Sequence, residues 1–270
     1  MWEKVQETVS FIKNKTSFSP EYGVILGSGL GGFTADISIE FTIPYTEIPN
    51  FPVSTVQGHQ GALVFGTIED KKVVAMQGRF HFYEGYDMKQ VTFPVRVMKH
   101  LGVEKLIVSN ASGGVNPSYK VGDIVVITDH INMMPEHPLR GANDERFGPR
   151  FVNMSEPYSK AMYLKAFELA KTLNINIKKG IYLGLQGPTF ETLAEYRMVK
   201  ALGADCVGMS TVPEVIVGKH MNMECFGVSV ITDMGDEENI EDVNHEEVLE
   251  AAKKAEPSVR DLIKHLIVQY

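Results

Sequence analysis

The segment Gly78-Arg79-Phe80-His81-Phe82-Tyr83-Glu84-Gly85-Tyr86 gathers a guanidinium, an imidazole and a phenol within five residues. In extended backbone Arg79, His81 and Tyr83 fall on one side, while Phe80 and Phe82 fall on the other. One face then packs and the other presents polar chemistry, with Arg79 suited to bidentate recognition of phosphate. A solvated edge strand is the plain alternative. Gly58-His59 adds a histidine in another loop. Gly27-Ser28-Gly29-Leu30-Gly31-Gly32 follows a β-branched run. Its glycines would let backbone N–H groups approach an anion, with the Ser28 hydroxyl as a further donor; a tight strand-to-helix turn reads equally well. Asn110-Ala111-Ser112-Gly113-Gly114 offers small residues and backbone donors, or a turn needing positive φ.

Three further segments sit at expected helix starts. Gly187-Pro188-Thr189-Phe190-Glu191-Thr192 carries an aromatic able to stack on a heterocycle and a carboxylate that would also suit a helix N-terminus. Thr189 is a candidate N-cap there. In Val207-Gly208-Met209-Ser210-Thr211-Val212-Pro213-Glu214 the helix-start pattern accounts for Thr211, Pro213 and Glu214, and leaves Met209 and Ser210 unexplained. Asn244-His245-Glu246-Glu247 opens the last helix with Asn244 as cap. His245 is the odd member, since a cation is disfavoured at that end; a neutral imidazole offering a hydrogen bond fits better.

Several chemistries are absent from these patterns. No Lys-Ser/Thr completes a Walker loop, no H-E-x-x-H or similar spacing marks a metal site, and no G-x-S-x-G elbow presents a nucleophilic serine. The two cysteines, Cys206 and Cys225, form no C-x-x-C and fit a reducing compartment.

The elements that must position these residues recur as a unit: a short apolar run, a loop of glycine or small residues, then a helical pattern. Runs end at Leu26, Met76, Val108, Gly184 and Ile231, and helices are expected near 88–101, 159–173, 191–202, 213–221 and 245–268, with one more in the first fifteen or so residues. Alternating strands and helices predict an α/β fold with a largely parallel sheet, whose site lies beyond the carboxyl ends of the strands. The 270 residues show no internal repeat or linker, so a single domain over 1–270 is expected. With Lys+Arg 26 against Asp+Glu 34 the net charge is −8, which argues against nucleic acid or an anionic membrane surface as partner. No run approaches the ~18 apolar residues of a membrane span, and no signal-peptide core follows Met1. A soluble, cytoplasmic protein is expected.

Together these segments resemble the trimeric, low-molecular-mass purine nucleoside phosphorylases, nearly end to end. The most specific pieces are Gln77 to Tyr86, Asn110 to Gly114 and Gly208 to Val215. The resemblance implies a mixed central sheet, partly barrel-like and flanked by helices, in a homotrimer. It also implies reversible phosphorolysis of purine ribo- and deoxyribonucleosides in purine salvage, with phosphate as substrate and no metal or organic cofactor. Carried over residue by residue, the phosphate site falls on Ser28, His59, Arg79, His81, Ala111 (through its N–H) and Ser210. The ribose site falls on Tyr83, Met209 and His245. The purine site falls on Phe190, Glu191, Val207, Thr232 and Asp233. Phe151 matches an aromatic that closes the neighbouring subunit's ribose pocket. Arg79, His81, Glu191 and Asp233 are the expected catalytic residues.

One position departs from the pattern. Enzymes for 6-oxopurines carry Asn where this chain has Asp233; an amide both donates and accepts, whereas an ionised aspartate only accepts. Methylthioadenosine phosphorylases place Asp there, but they lack the Phe190-Glu191 pair and have Thr in place of Ser210. His245 also favours a free 5′-hydroxyl. The expectation is preference for inosine and guanosine, with an adenosine- or methylthioadenosine-preferring phosphorylase as the alternative. A nucleoside hydrolase and a non-catalytic purine-binding module are the remoter ones.

Overall fold

In the computed structural model, which describes residues 1–53, 55, 60–235 and 244–270, the apolar runs of β1, β4 and the first half of β5 are buried on both faces. The elements in chain order are α1 (Trp2–Lys15), β1 (Tyr22–Ile25), β2 (Ser38–Pro44), β3 (Ala62–Ile68), β4 (Lys71–Gln77), α2 (Met88–Val91) and α3 (Phe93–Leu101). They continue with β5 (Lys105–Gly114), β6 (Ile124–Asn132), α4 (Lys160–Thr172), β7 (Ile177–Gly184), α5 (Leu193–Ala201), β8 (Cys206–Gly208), α6 (Val212–His220), β9 (Glu224–Met234) and α7 (His245–Gln269).

Along β1, β4 and β5 the apolar side chains alternate between two cores. Ile25, Val74, Met76, Leu106 and Val108 pack with α1, α3 and α6. Tyr22, Val24, Val73, Ala75 and Ile107 pack with α4 and α7. Helix α7 contributes Val259, Leu262, Ile263 and Leu266, a spacing of three and four that makes one apolar stripe. No helix among the described residues is long and apolar enough to cross a membrane.

The strands form one mixed sheet in the order β2-β3-β4-β1-β5-β8-β7-β6-β9. An added β5–β9 pairing closes β5, β8, β7, β6 and β9 into a barrel. The expected mixed sheet with a barrel-like portion and flanking helices is therefore present. Four strands, β2, β3, β6 and β8, go beyond the sequence reading. The expected helix at 88–101 is two helices that meet at Thr92. Pro94 lies in the first turn of α3, where its missing N–H costs nothing.

Register places the site. Ile25 pairs with Met76 on β4 and Val108 on β5, so these three parallel strands end level. Gly113 of β5 lies opposite both Val207 of β8 and Asp233 of β9. The β5–β9 register shifts at Ser112/Gly113: Ser112 pairs with Ile231 and Gly113 with Asp233. Thr232 is thus the extra residue of a bulge, and bulges re-aim side chains beside functional sites.

Candidate active site

One cavity of about 490 Å³ opens beyond these strand ends. Of the fifteen expected site residues, it brings together Ser28, Arg79, His81, Tyr83, Ala111, Phe190, Glu191, Val207, Met209, Ser210, Thr232, Asp233 and His245. They come from the ends of β1, β4, β8 and β9, the far half of β5, the β7–α5 connection and the start of α7. His59 lies outside the described residues. Phe151 lies outside the cavity, 89% exposed, against a separate cleft with Arg150 and Met154.

The end near β1 is cationic and rich in hydroxyls. Gly27 lets β1 close onto β5, since a Cβ there would lie 2.6 Å from the Ser109 carbonyl oxygen. Arg79 is only 2% exposed. Its Nη1 donates to Thr211 Oγ1 at 3.2 Å and to Glu214 Oε1 at 3.3 Å, and its Nη2 donates to the carbonyls of Ser109 and Ile25. The segment 79–83 is not the extended strand that its alternation suggested. Gly78 turns the chain at φ 104°, and Phe82–Glu84 form a 3-10 turn capped by His81. Arg79, Phe80 and His81 are all buried as a result, and the His81 ring stacks on Tyr83 at 4.7 Å.

Burial pushes the His81 imidazole toward its neutral form, against the opposing pull of Glu84. Burial would raise Glu84, but hydrogen bonds from His81 and Thr55 outweigh it and take its pKa to about 2. Glu84 is therefore an acceptor only, and His81 Nδ1, 3.1 Å from Glu84 Oε1, carries the ring hydrogen. Nε2 of neutral His81 is then an acceptor.

The Asn110–Gly114 segment is no turn: β5 continues to Gly114, and neither glycine has positive φ. Its polar side chains are buried and paired. Asn110 Nδ2 donates to Thr211 Oγ1 at 2.7 Å, and Ser229 Oγ donates to Asn110 Oδ1. Thr211 is a β-branched residue at φ 71°, a strained conformation that these bonds hold in place.

The opposite end is acidic. Glu191 is 9% exposed, and burial raises its pKa to about 7, with the Asp233 and Glu195 carboxylates adding to the rise. Its expected service to the helix is not observed. Thr192, not Thr189, caps α5, in a capping box with Glu195. Asp233 is also raised by burial, opposed by hydrogen bonds from Tyr196 and Thr232. Tyr196 Oη donates to Asp233 Oδ2 at 2.9 Å, and Thr232 Oγ1 lies 3.0 Å from Oδ1. Phe190, 40% exposed, stands beside this end as a stacking face. Asn244 caps α7 as expected, accepting from the Glu247 N–H at 2.9 Å, and sets His245 at the cavity wall.

Sequence reasoning missed Glu84, Thr211, Glu214 and Tyr196. Glu214 carried a signal but the wrong one: Ser/Thr-x-Pro-Glu reads as a helix start, and the side chain is spent on Arg79 instead.

Among the described residues the cavity thus has a guanidinium-and-hydroxyl end and a carboxylate end, chemistry suited to holding an anion and a hydrogen-bonding partner side by side. The model of the phosphorylase superfamily matches residues 21–268. Purine nucleoside phosphorylase 1 of Bacillus subtilis is 49% identical over all of both chains. The mouse purine nucleoside phosphorylase is 50% identical over 98% of this chain and 94% of its own. Among solved structures, a Schistosoma mansoni purine nucleoside phosphorylase (isoform 2) with cytosine and ribose-1-phosphate superposes with a TM-score of 0.95 at 40% identity, covering 99% of this chain and 96% of that one. A Schistosoma mansoni purine nucleoside phosphorylase with adenosine gives 0.94 at 42% identity, covering 99% and 97%. The chain belongs to the phosphorylase superfamily and, within it, to the purine nucleoside phosphorylases. It is an enzyme of the pentosyl-transferring class.

Proposed function

We propose that the enzyme catalyses reversible phosphorolysis of purine ribo- and deoxyribonucleosides, with inosine and guanosine preferred, to the free base and the pentose 1-phosphate. The observation that carries this is the division of one cavity into a guanidinium-and-hydroxyl end and a carboxylate end. Its volume, about 490 Å³, lies in the range of small-molecule sites.

In this reading Ser28, Arg79, His81, Ser210 and the Ala111 N–H hold phosphate beneath C1′. Positioning replaces a bimolecular encounter. A phosphate oxygen attacks C1′ as the C1′–N9 bond breaks, and the anion also stabilises the cationic sugar of the transition state. Neutral His81, an acceptor at Nε2, suits a protonated phosphate oxygen. Tyr83, Met209 and His245 line the ribose position, and Phe151 closes the same position of a neighbouring subunit in a homotrimer. Phe190 stacks on the base beside Val207 and Thr232. Glu191 accepts from the N1 edge, and Asp233 serves N7 as that atom takes a proton. The nucleophile is the phosphate itself, so no metal or organic cofactor is called for.

Asp233 favours a second reading of the base preference. A carboxylate accepts from a 6-amino group and repels O6, so adenosine is a competing substrate. Relatives crystallised with adenosine and with hypoxanthine support both base classes for this fold. The test is a side-by-side assay of inosine, guanosine, adenosine and methylthioadenosine, each with and without phosphate. Phosphate-dependent release, fastest with inosine or guanosine, is expected. Dominance of methylthioadenosine would overturn the base preference, and base release without phosphate would overturn phosphorolysis.

A further inference from the structure

Tyr196 stands behind the carboxylate end, 3% exposed, with its hydroxyl on Asp233 Oδ2. The chain makes room for that contact at two glycines. A Cβ on Gly235 would lie 2.2 Å from the Tyr196 ring, and a Cβ on Gly113 would lie 2.8 Å from Asp233 Oδ2 and 3.2 Å from Tyr196 Oη. The other donor near Asp233 is divided. Thr232 Oγ1 reaches both Asp233 Oδ1 at 3.0 Å and the Ser112 carbonyl at 3.3 Å, but a hydroxyl carries one hydrogen. Tyr196 Oη, 2.9 Å from Asp233 Oδ2, is the closer of the two hydroxyls to that carboxyl, and it also reaches Glu191.

We propose that Tyr196 is a positioning residue for the base: it stabilises the carboxylate form of Asp233 and so lets that carboxyl release its proton to N7 of the departing purine. The inference rests on the purine end being where the base binds. As the C1′–N9 bond breaks, its electron pair moves into the purine and the Asp233 proton moves to N7. A phosphate oxygen meanwhile bonds C1′. The purine leaves neutral and Asp233 is left charged. A hydrogen bond from a phenol to a carboxylate is stronger than one to a carboxylic acid, so the Tyr196 contact strengthens as the charge appears.

The surroundings agree. Burial holds Asp233 toward its protonated form, and Tyr196 pulls it back. Glu191 faces the same end, shares the Tyr196 hydroxyl with Asp233, and resists a second negative charge there. Glu195 lies at the start of α5, engaged with Thr192. Arg197 and Lys200 line a small cleft behind Tyr196, and β5 contributes only uncharged Ser112 and Gly113.

Tyr196→Phe keeps the ring and removes the donor. It is assayed with inosine and with 7-methylinosine, whose N7 already bears a substituent and needs no proton. With inosine, kcat is expected to fall roughly tenfold or more, with KM for phosphate unchanged. The limb of the pH profile set by Asp233 should move up by roughly one unit. With 7-methylinosine kcat should stay near that of the unaltered enzyme. Equal losses on both substrates, or an unshifted profile, would overturn the proposal. A fluorinated tyrosine at position 196, a stronger donor of the same shape, should move the limb down and provides the test should the phenylalanine variant not fold. An unmoved or raised limb there would also count against it. Failure of the underlying site reading has a different signature: Glu191→Gln and Asp233→Asn would then leave nucleoside kinetics and base preference unchanged.

Discussion

Glu214→Gln should unsettle the apo enzyme more than the phosphate-bound one. Arg79 and Glu214 are each 2% exposed and 3.3 Å apart. Removing one charge of a buried pair costs about 3–5 kcal/mol, because the other loses a counter-charge. The glutamine oxygen still accepts from Nη1, which returns about 1 kcal/mol and leaves roughly 2–4 kcal/mol. For 270 residues the unfolding entropy is about 0.57 kcal/mol/K, so Tm should fall by about 4–7 °C. Saturating phosphate then supplies a replacement anion at Arg79. Ligand at a hundredfold excess over Kd stabilises by ~2.7 kcal/mol. The variant should gain more than that reference, since its guanidinium no longer shares its charge with Glu214. Thermal unfolding is followed for both proteins in a non-coordinating buffer, with phosphate raised from zero. The gap in Tm should narrow as phosphate increases. A gap that stays constant or widens would refute Glu214 as the counter-ion that keeps Arg79 ready for phosphate.

Three further outcomes are expected. Glu191 has a folded pKa of about 7, above its unfolded value. Its contribution to apo stability is therefore full below about pH 4.5 and lost as pH rises through about 7, on the order of 3 kcal/mol. Glu191→Gln should flatten the stability profile between pH 5 and 8 in thermal or urea unfolding, and should slow inosine phosphorolysis by roughly a hundredfold. Thr211→Gly relieves the positive φ but deletes the hydroxyl that accepts from Asn110 and Arg79. Stability should change by less than about 1 kcal/mol, while KM for phosphate rises roughly tenfold. Asp233→Asn restores a donor opposite O6, so the kcat/KM ratio of inosine to adenosine should rise by at least about tenfold in a direct competition assay.

The strand ends were legible because a buried parallel strand is a short apolar run, and here each run stops where the chemistry starts. Ser28 and Arg79 each follow such a stop, and the level register of β1, β4 and β5 carries them to one place. What could not be read was the function of side chains with a good local alibi. Glu214 sits where a helix favours an acid, Thr192 and Thr189 both suit a cap, and Tyr196 has the spacing of an ordinary core aromatic on α5. Local preference and tertiary use predict the same residue type at these positions, so only the partner across the fold separates them. The alternation at 79–83 misled for a related reason. A period of two says which side chains would share a face of a strand, but Gly78 ends the strand first, and burial of Arg79 is then set by Thr211 and Glu214.

The polar run Ser109-Asn110-Ala111-Ser112 carries the more general point. A strand with apolar residues as far as Val108 and polar ones after it reads as a strand that has ended. Here β5 continues through the barrel, and each buried polar atom must find a partner or cost about 1–3 kcal/mol. Ser112 meets Ser229 at 2.6 Å, Ser229 donates to Asn110, and Asn110 holds Thr211, which in turn receives Arg79. The chain starts one residue from the bulge that aims Thr232 and Asp233 and ends at the guanidinium. An apolar strand could not hold Thr211 at positive φ beside Arg79, because nothing on it would bond the hydroxyl. The polarity that made the segment look like a turn is thus what a buried strand needs when both ends of a binding cavity are fastened to it.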